Sequence, residues 1–127
     1  MKIWLDDQLH DPVAPNRHTP EGWVGCKDDK EFKAAVVRAM ESGEGIDEMS
    51  FDNDLGEDSL EGHQLLQWLA DTYPKVVVSE EITITIHSAN SVERQKMEQR
   101  LDWWKKNKEE FLEAQNREDP WAALDRK

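Results

Sequence analysis

The chain has 127 residues, enough to bury a core in one domain and too few for two ordinary ones. Its formal net charge of -12 opposes binding to nucleic-acid backbones, because sequence-independent affinity there comes from Lys and Arg displacing counterions from phosphates. The single cysteine, Cys26, excludes an internal disulfide and a cysteine-rich zinc site, and no segment approaches the roughly 20 apolar residues of a membrane span, so a soluble, cytoplasmic protein is the simplest reading.

Lys2 to Leu5 is a short β-type run that ends at Asp6-Asp7, and Pro12, Pro15 and Pro20 then predict a long loop to about Lys27. Phe32, Val36 and Met40 are spaced by four, which predicts a helix with these three on one face, stopped by Gly43 and Gly45. Asp28, three residues before Glu31, has capping spacing. Ile46 to Phe51 returns to strand character and again runs into acids, Asp52-Asn53-Asp54.

A second helix is expected from about Ser59 to Pro74, with Leu65, Trp68 and Leu69 on one face and Asp58 and Glu61 at capping spacing. Val76 to Val78 is open between a separate short strand and none. Ile82 to His87 alternates apolar with polar, the period-two signature of a strand at or near a sheet edge. The last helix starts near Asn90, with Glu93 at capping spacing and Met97, Leu101 and Trp104 in one stripe. Residues 1–117 are thereby expected as one α/β domain and 118–127 as an irregular tail.

Strands alternating with helices make a parallel sheet, with the first strand expected to touch both others and helices expected on both faces. All strand C-termini then share one edge, where ligands bind in such sheets. That edge carries Asp6 and Asp7, Asp52 and Asp54, then His87 and Ser88. Four carboxylates together repel unless a cation lies among them, and a hard, oxygen-ligated ion, Mg²⁺ foremost, is the economical answer. The plain alternative is that each Asp caps a turn or helix, as Asn90 does in full by its position. Arg94, one turn into the last helix, suits either a phosphate held at that helix's N-terminus or a surface ion pair. His10, His18 and His63 read as loop or surface residues.

Four stretches in order, Lys2-Ile3-Trp4-Leu5-Asp6-Asp7, Thr19-Pro20-Glu21-Gly22-Trp23, Ser50-Phe51-Asp52-Asn53-Asp54-Leu55-Gly56 and His87-Ser88-Ala89-Asn90, resemble the cyclic-phosphate processing receiver domain family. This is a branch of the response-regulator receiver fold found in bacteria and their phages. The resemblance spans roughly residues 1 to 100. It implies a three-layer, receiver-like (flavodoxin-like) domain with a small, mostly parallel sheet, to which the helix periodicity adds a long C-terminal helix. It also implies Mg²⁺ on Asp6, Asp7 and Asp52, with Asp52 in the position of the phosphoryl-accepting aspartate.

The family's His-Ser-x-Asn motif matches His87, Ser88 and Asn90 and implies handling of a cyclic phosphate on a nucleotide or ADP-ribose derivative. With Asp54 and Arg94 added from their positions, the catalytic set is read as Asp52, Asp54 and His87, and the substrate-binding set as Ser88, Asn90 and Arg94. The chain departs from the pattern at Leu9, where an arginine is usual, at Asn53 (histidine), at Ser91 (proline) and at Glu93 (glycine). Two rival readings stand beside the enzyme. One is a non-catalytic switch or nucleotide-binding module. The other is an acidic interaction protein with Trp103, Trp104 and Trp121 as a partner surface, against which stands plain packing of the last helix.

Overall fold

Four parallel strands form one sheet in the order β2-β1-β3-β4 in the computed structural model, which describes residues 1–8, 18–56 and 58–117. The strands are β1 (Lys2–Leu5), β2 (Val24–Cys26), β3 (Glu48–Phe51) and β4 (Thr83–Ile86). The helices are α1 (Asp29–Glu41), α2 (Gly62–Thr72), α3 (Pro74–Val78), α4 (Ser91–Lys106) and α5 (Lys108–Arg117). Residues 118–127, expected as a tail, lie outside the described residues, as do Leu9, His10 and Trp121.

The register pairs Trp4 with Gly25 and Ser50, and Ser50 with Thr85. Residues paired in register point to the same face, so Lys2, Trp4, Glu48, Ser50, Thr83 and Thr85 share one face. Ile3, Leu5, Met49 and Phe51 share the other, all fully buried. The crossovers from β2 to β3 and from β3 to β4 run the same way across the sheet, so right-handedness puts their helices on one face. The rings agree: Phe32 of α1 meets Phe51 at 5.1 Å and Trp68 of α2 at 6.2 Å. A helix between β1 and β2 would run the opposite way and cover the polar face. The described part of that connection holds no helix; instead Trp23 packs edge-on to Trp4 at 5.8 Å, and Thr19 lies over Gly25.

Several local expectations are corrected. The segment read as loop up to Lys27 contains β2, which is too short and glycine-interrupted to show a period of its own and exists by pairing with β1. The strand at 83–86 pairs with β3, not with β1, because β3 lies between them. It is an edge strand, as expected. Met40 is 38% exposed; α1 buries Phe32, Ala35, Val36 and Ala39, a stripe in which alanines do what the larger residue was expected to do. The cap at Asp28 holds, its Oδ1 accepting from the Glu31 N–H at 2.9 Å.

α2 begins later than Ser59, at Gly62, where Glu61 and Gln64 form a reciprocal capping box. Pro74 ends α2, as expected, and also opens α3: its ring forbids helical geometry for Tyr73 yet suits the first position of a new helix. Val76, Val77 and Val78 are therefore helical, and all three are buried, which an alternating strand against one core would not achieve. The last helix breaks at Asn107, whose side chain donates to the Trp103 carbonyl at 2.9 Å. Trp104 is buried against Phe111 of α5 at 5.4 Å, whereas Trp103 is exposed.

Candidate active site

The backbone ladder continues one residue past each of three strands. The N–H groups of Asp6, Asp52 and His87 donate to the carbonyls of Cys26, Leu5 and Phe51 at 3.0, 2.9 and 2.8 Å. This holds the three side chains at the C-terminal edge on ordered backbone. Asp6, Asp7 and Asp52 each offer a carboxylate oxygen within 4.8 Å of the others, with Asp6 and Asp52 buried and Asp7 exposed. Ligands on opposite sides of a Mg²⁺ ion, at 2.0–2.1 Å each, lie about 4.2 Å apart. Three carboxylate oxygens gathered within 4.8 Å match the all-oxygen donor preference of such an ion. Asp54 is exposed and lies outside this group, its Oδ1 accepting from Asn53 Nδ2 at 3.4 Å.

His87 joins the cluster directly, its Nε2 lying 3.0 Å from Asp6 Oδ2. Its Nδ1 lies 2.7 Å from Ser50 Oγ, and Thr85 Oγ1 donates to that same oxygen at 3.0 Å. The imidazole stacks flat on the Trp4 indole, centroids 4.0 Å apart and planes 5° from parallel. Asp6 Oδ1 also accepts from the Gln8 N–H at 2.8 Å.

The remaining expected residues fall into two groups. Ser88 is buried and its Oγ accepts from the Asn90 N–H at 3.1 Å, while Asn90 Oδ1 caps α4 by accepting from the Glu93 N–H at 3.1 Å. Ser88 follows His87 directly and, with Asn90, forms the turn that leads into α4. Arg94 instead makes the surface ion pair, with Glu98 at 3.6 Å, on an exposed stretch of α4.

Sequence reasoning missed three participants. Ser50 and Thr85 had a usable signal, since they sit at the same strand parity as His87. His63, read as a surface residue, has its backbone N–H and its ring Nδ1 on the buried Asn53 Oδ1, at 3.0 and 2.9 Å. No spacing in the chain announces that pairing. Beside Asp7 a hollow of about 280 Å³ opens along the same edge, lined by Lys27, Asp28, Gly56, Asp58 and Ser59 among others.

The edge thus gathers three carboxylates and an imidazole, and the carboxylates are an all-oxygen donor set of the kind that suits a hard dication. A model of the Cyclic-phosphate processing Receiver domain family matches residues 1–103. The chain belongs to that family. The receiver-like α/β class expected from the sequence therefore holds, with the match ending inside α4 and α5 beyond it. No curated protein and no solved structure matches this receiver domain. No helix among its described residues is long and apolar enough to cross a membrane.

Proposed function

We infer that this receiver domain hydrolyses a cyclic phosphate on a nucleotide or ADP-ribose derivative, dependent on Mg²⁺, at the C-terminal edge of its sheet. The observation that carries the reading is the His87 imidazole 3.0 Å from Asp6, at the rim of a group of three carboxylates whose oxygens lie within 4.8 Å of one another. Asp6, Asp7 and Asp52 would hold the ion, which when bound neutralises charge on the phosphoryl oxygens.

Overall, water adds to phosphorus, one ring P–O bond breaks and the freed ribose oxygen takes up a proton. His87 carries its Nε2 proton at the rim of the carboxylate group, the place from which that oxygen can receive it. Ser88, Asn90 and the N-terminus of α4 would meet the phosphate in this reading. Asp54 and Arg94 are assisting groups in this reading, and Arg94 must leave Glu98 to take part. A cytoplasmic setting, where nucleotides are at hand, belongs to the same reading.

The test is incubation with Mg²⁺ and a panel of ribose cyclic phosphates, followed by phosphorus resonances. Conversion of a cyclic ester to a monoester is expected, lowered roughly a hundredfold in His87→Gln, the usual worth of a general acid. If no panel member is converted while Mg²⁺ still binds, the protein is a binding module. One observation favours that second reading: both ring nitrogens of His87 already have partners within the chain. Against its phospho-switch form, no strand follows β4 among the described residues to carry the lysine that ordinary receivers place there.

A further inference from the structure

The polar face of the sheet carries a row of side chains that leads into the site: Thr85, Ser50, His87 and Asp6, joined by contacts of 3.0, 2.7 and 3.0 Å. Its direction follows from valence. A carboxylate only accepts, so the nitrogen facing Asp6 must bear a proton. In the neutral ring Nδ1 is then an acceptor, and Ser50 must give it the one hydroxyl proton it owns. Ser50 Oγ is left to accept, which it does from Thr85. Every proton in the row points toward Asp6.

Ser50, His87 and Asp6 present the three residue types of a hydrolase triad, but Ser50 is not built to attack. It is 3% exposed, between Trp4 and Thr85 in the register, and its proton is committed to His87. Nor is His87 oriented by Asp6 alone, since one bond to one nitrogen leaves the ring free to turn about it. The second bond from Ser50 and the flat stack on Trp4 remove that freedom.

We propose that Ser50 and Thr85 are positioning residues of this site: as a two-hydroxyl relay they hold His87 in the form that carries its proton on Nε2, toward Asp6. This rests on the reading of His87 as the proton donor for its place in a reaction, though the relay itself stands on the geometry alone. As Nε2 gives its proton to the freed oxygen, Ser50 passes its hydroxyl proton to Nδ1 and Thr85 passes its own to Ser50. Solvent, which takes up the proton released by the attacking water, renews it at the exposed Thr85 hydroxyl, so the ring stays neutral, and loss of the relay lowers turnover while leaving substrate affinity nearly untouched.

The test uses the whole protein with ¹⁵N-labelled histidine, with the side-chain two-bond ¹H–¹⁵N pattern recorded in mildly alkaline buffer. Wild type is expected to show His87 as the pure Nε2–H tautomer. Ser50→Ala should show a mixture, as should Thr85→Val to a lesser degree, and Thr85→Ser should restore the wild-type pattern. Thr85 is exposed, so its two variants fold even if Ser50→Ala does not. A pure Nε2–H pattern surviving in Ser50→Ala or, if that fails to fold, in Thr85→Val overturns the proposal, as does an Nδ1–H ring in wild type. With a cyclic phosphate that wild type converts, Thr85→Val should lose several-fold in kcat at unchanged KM, and Thr85→Ser should regain it. Absence of turnover in wild type would sink the enzymatic reading and leave the tautomer result to decide the relay by itself.

Discussion

Gly62 offers the sharpest test of how the fold places the site. It is the first residue of α2, and its N–H donates to the Asn53 carbonyl at 2.8 Å, so the helix sits directly on the end of β3. A Cβ at this position would fall on the Asp52 carbonyl oxygen and lie 2.8 Å from Asn53 Cα and 2.9 Å from the Asp52 carbonyl carbon. These are backbone atoms, so no side chain can swing aside. Since ordinary contact begins near 3.4 Å, α2 must retreat by more than half an ångström even to clear the farther two atoms. Overpacking of this kind costs about 1–3 kcal/mol, the stretched hydrogen bond about 1 more, and the better helix propensity of alanine returns up to about 1. Gly62→Ala is thus expected to destabilise by about 2 kcal/mol, a fall of roughly 8 °C in Tm for a domain of this size. Because the retreat drags on Asp52 and Asn53, the variant should also lose most of any Mg²⁺-induced rise in Tm. Circular-dichroism melts with and without Mg²⁺ read both effects. A Tm within about 2 °C of wild type, with the Mg²⁺ response intact, would refute the reasoning.

Three further outcomes are expected. Mg²⁺ at ten times its Kd should stabilise the wild-type protein by about 1.4 kcal/mol, a response that Asp6→Asn abolishes; a melting temperature that ignores millimolar Mg²⁺ and Mn²⁺ alike would show that the carboxylates hold no ion. Asn90→Ala removes the cap on α4 and should cost about 1 kcal/mol in denaturant unfolding, whereas Asn90→Asp keeps the cap and should weaken phosphate binding by adding charge, so equal binding by Asn90→Asp would take that side chain away from the ligand. Burial, reinforced by the Glu31 carboxylate and to a lesser extent Asp28 and only partly offset by Arg38, pushes the Cys26 thiol from 9.0 up to about 12. The raised value is a proton held more tightly by the folded chain, so this contribution to stability is complete below pH 9 and declines as pH rises from there toward 12, a decline that Cys26→Ala should flatten in unfolding titrations.

The edge of the sheet was legible because strand ends and acids coincide: Asp6, Asp7, Asp52 and His87 follow runs of β-type residues, and a parallel sheet must bring such ends together. The α4 stripe of Met97, Leu101 and Trp104 was legible for a similar reason, since all three are large and helical periodicity is a local property. What escaped was set by tertiary partners. β2 has no pattern of its own and depends on β1, and the helical state of Val76 to Val78 overrides the strand preference of valine because Pro74 starts a turn that buries all three. Met40 misled because a spacing of four fits two neighbouring stripes, and the one chosen by the core is marked by small alanines. Arg94 was left open between phosphate and ion pair, and Glu98, four residues on, provides the pair. The contact of His63 with Asn53 depends on how α2 meets β3, which no single segment encodes.

The bond between His87 and Asp6 joins residues 81 positions apart, and every strand pairing in the sheet is likewise parallel and remote in sequence. No hairpin exists among the described strands to start the sheet locally, so chain closure must precede each gain in pairing. The helices can form early, but the ring of acids and imidazole comes into being only when β4, last in the sequence and outermost in the sheet, has docked on β3. A probe of the assembled site, such as the stacking of His87 on Trp4, therefore reports completed pairing of the most distant segments, which helix content does not.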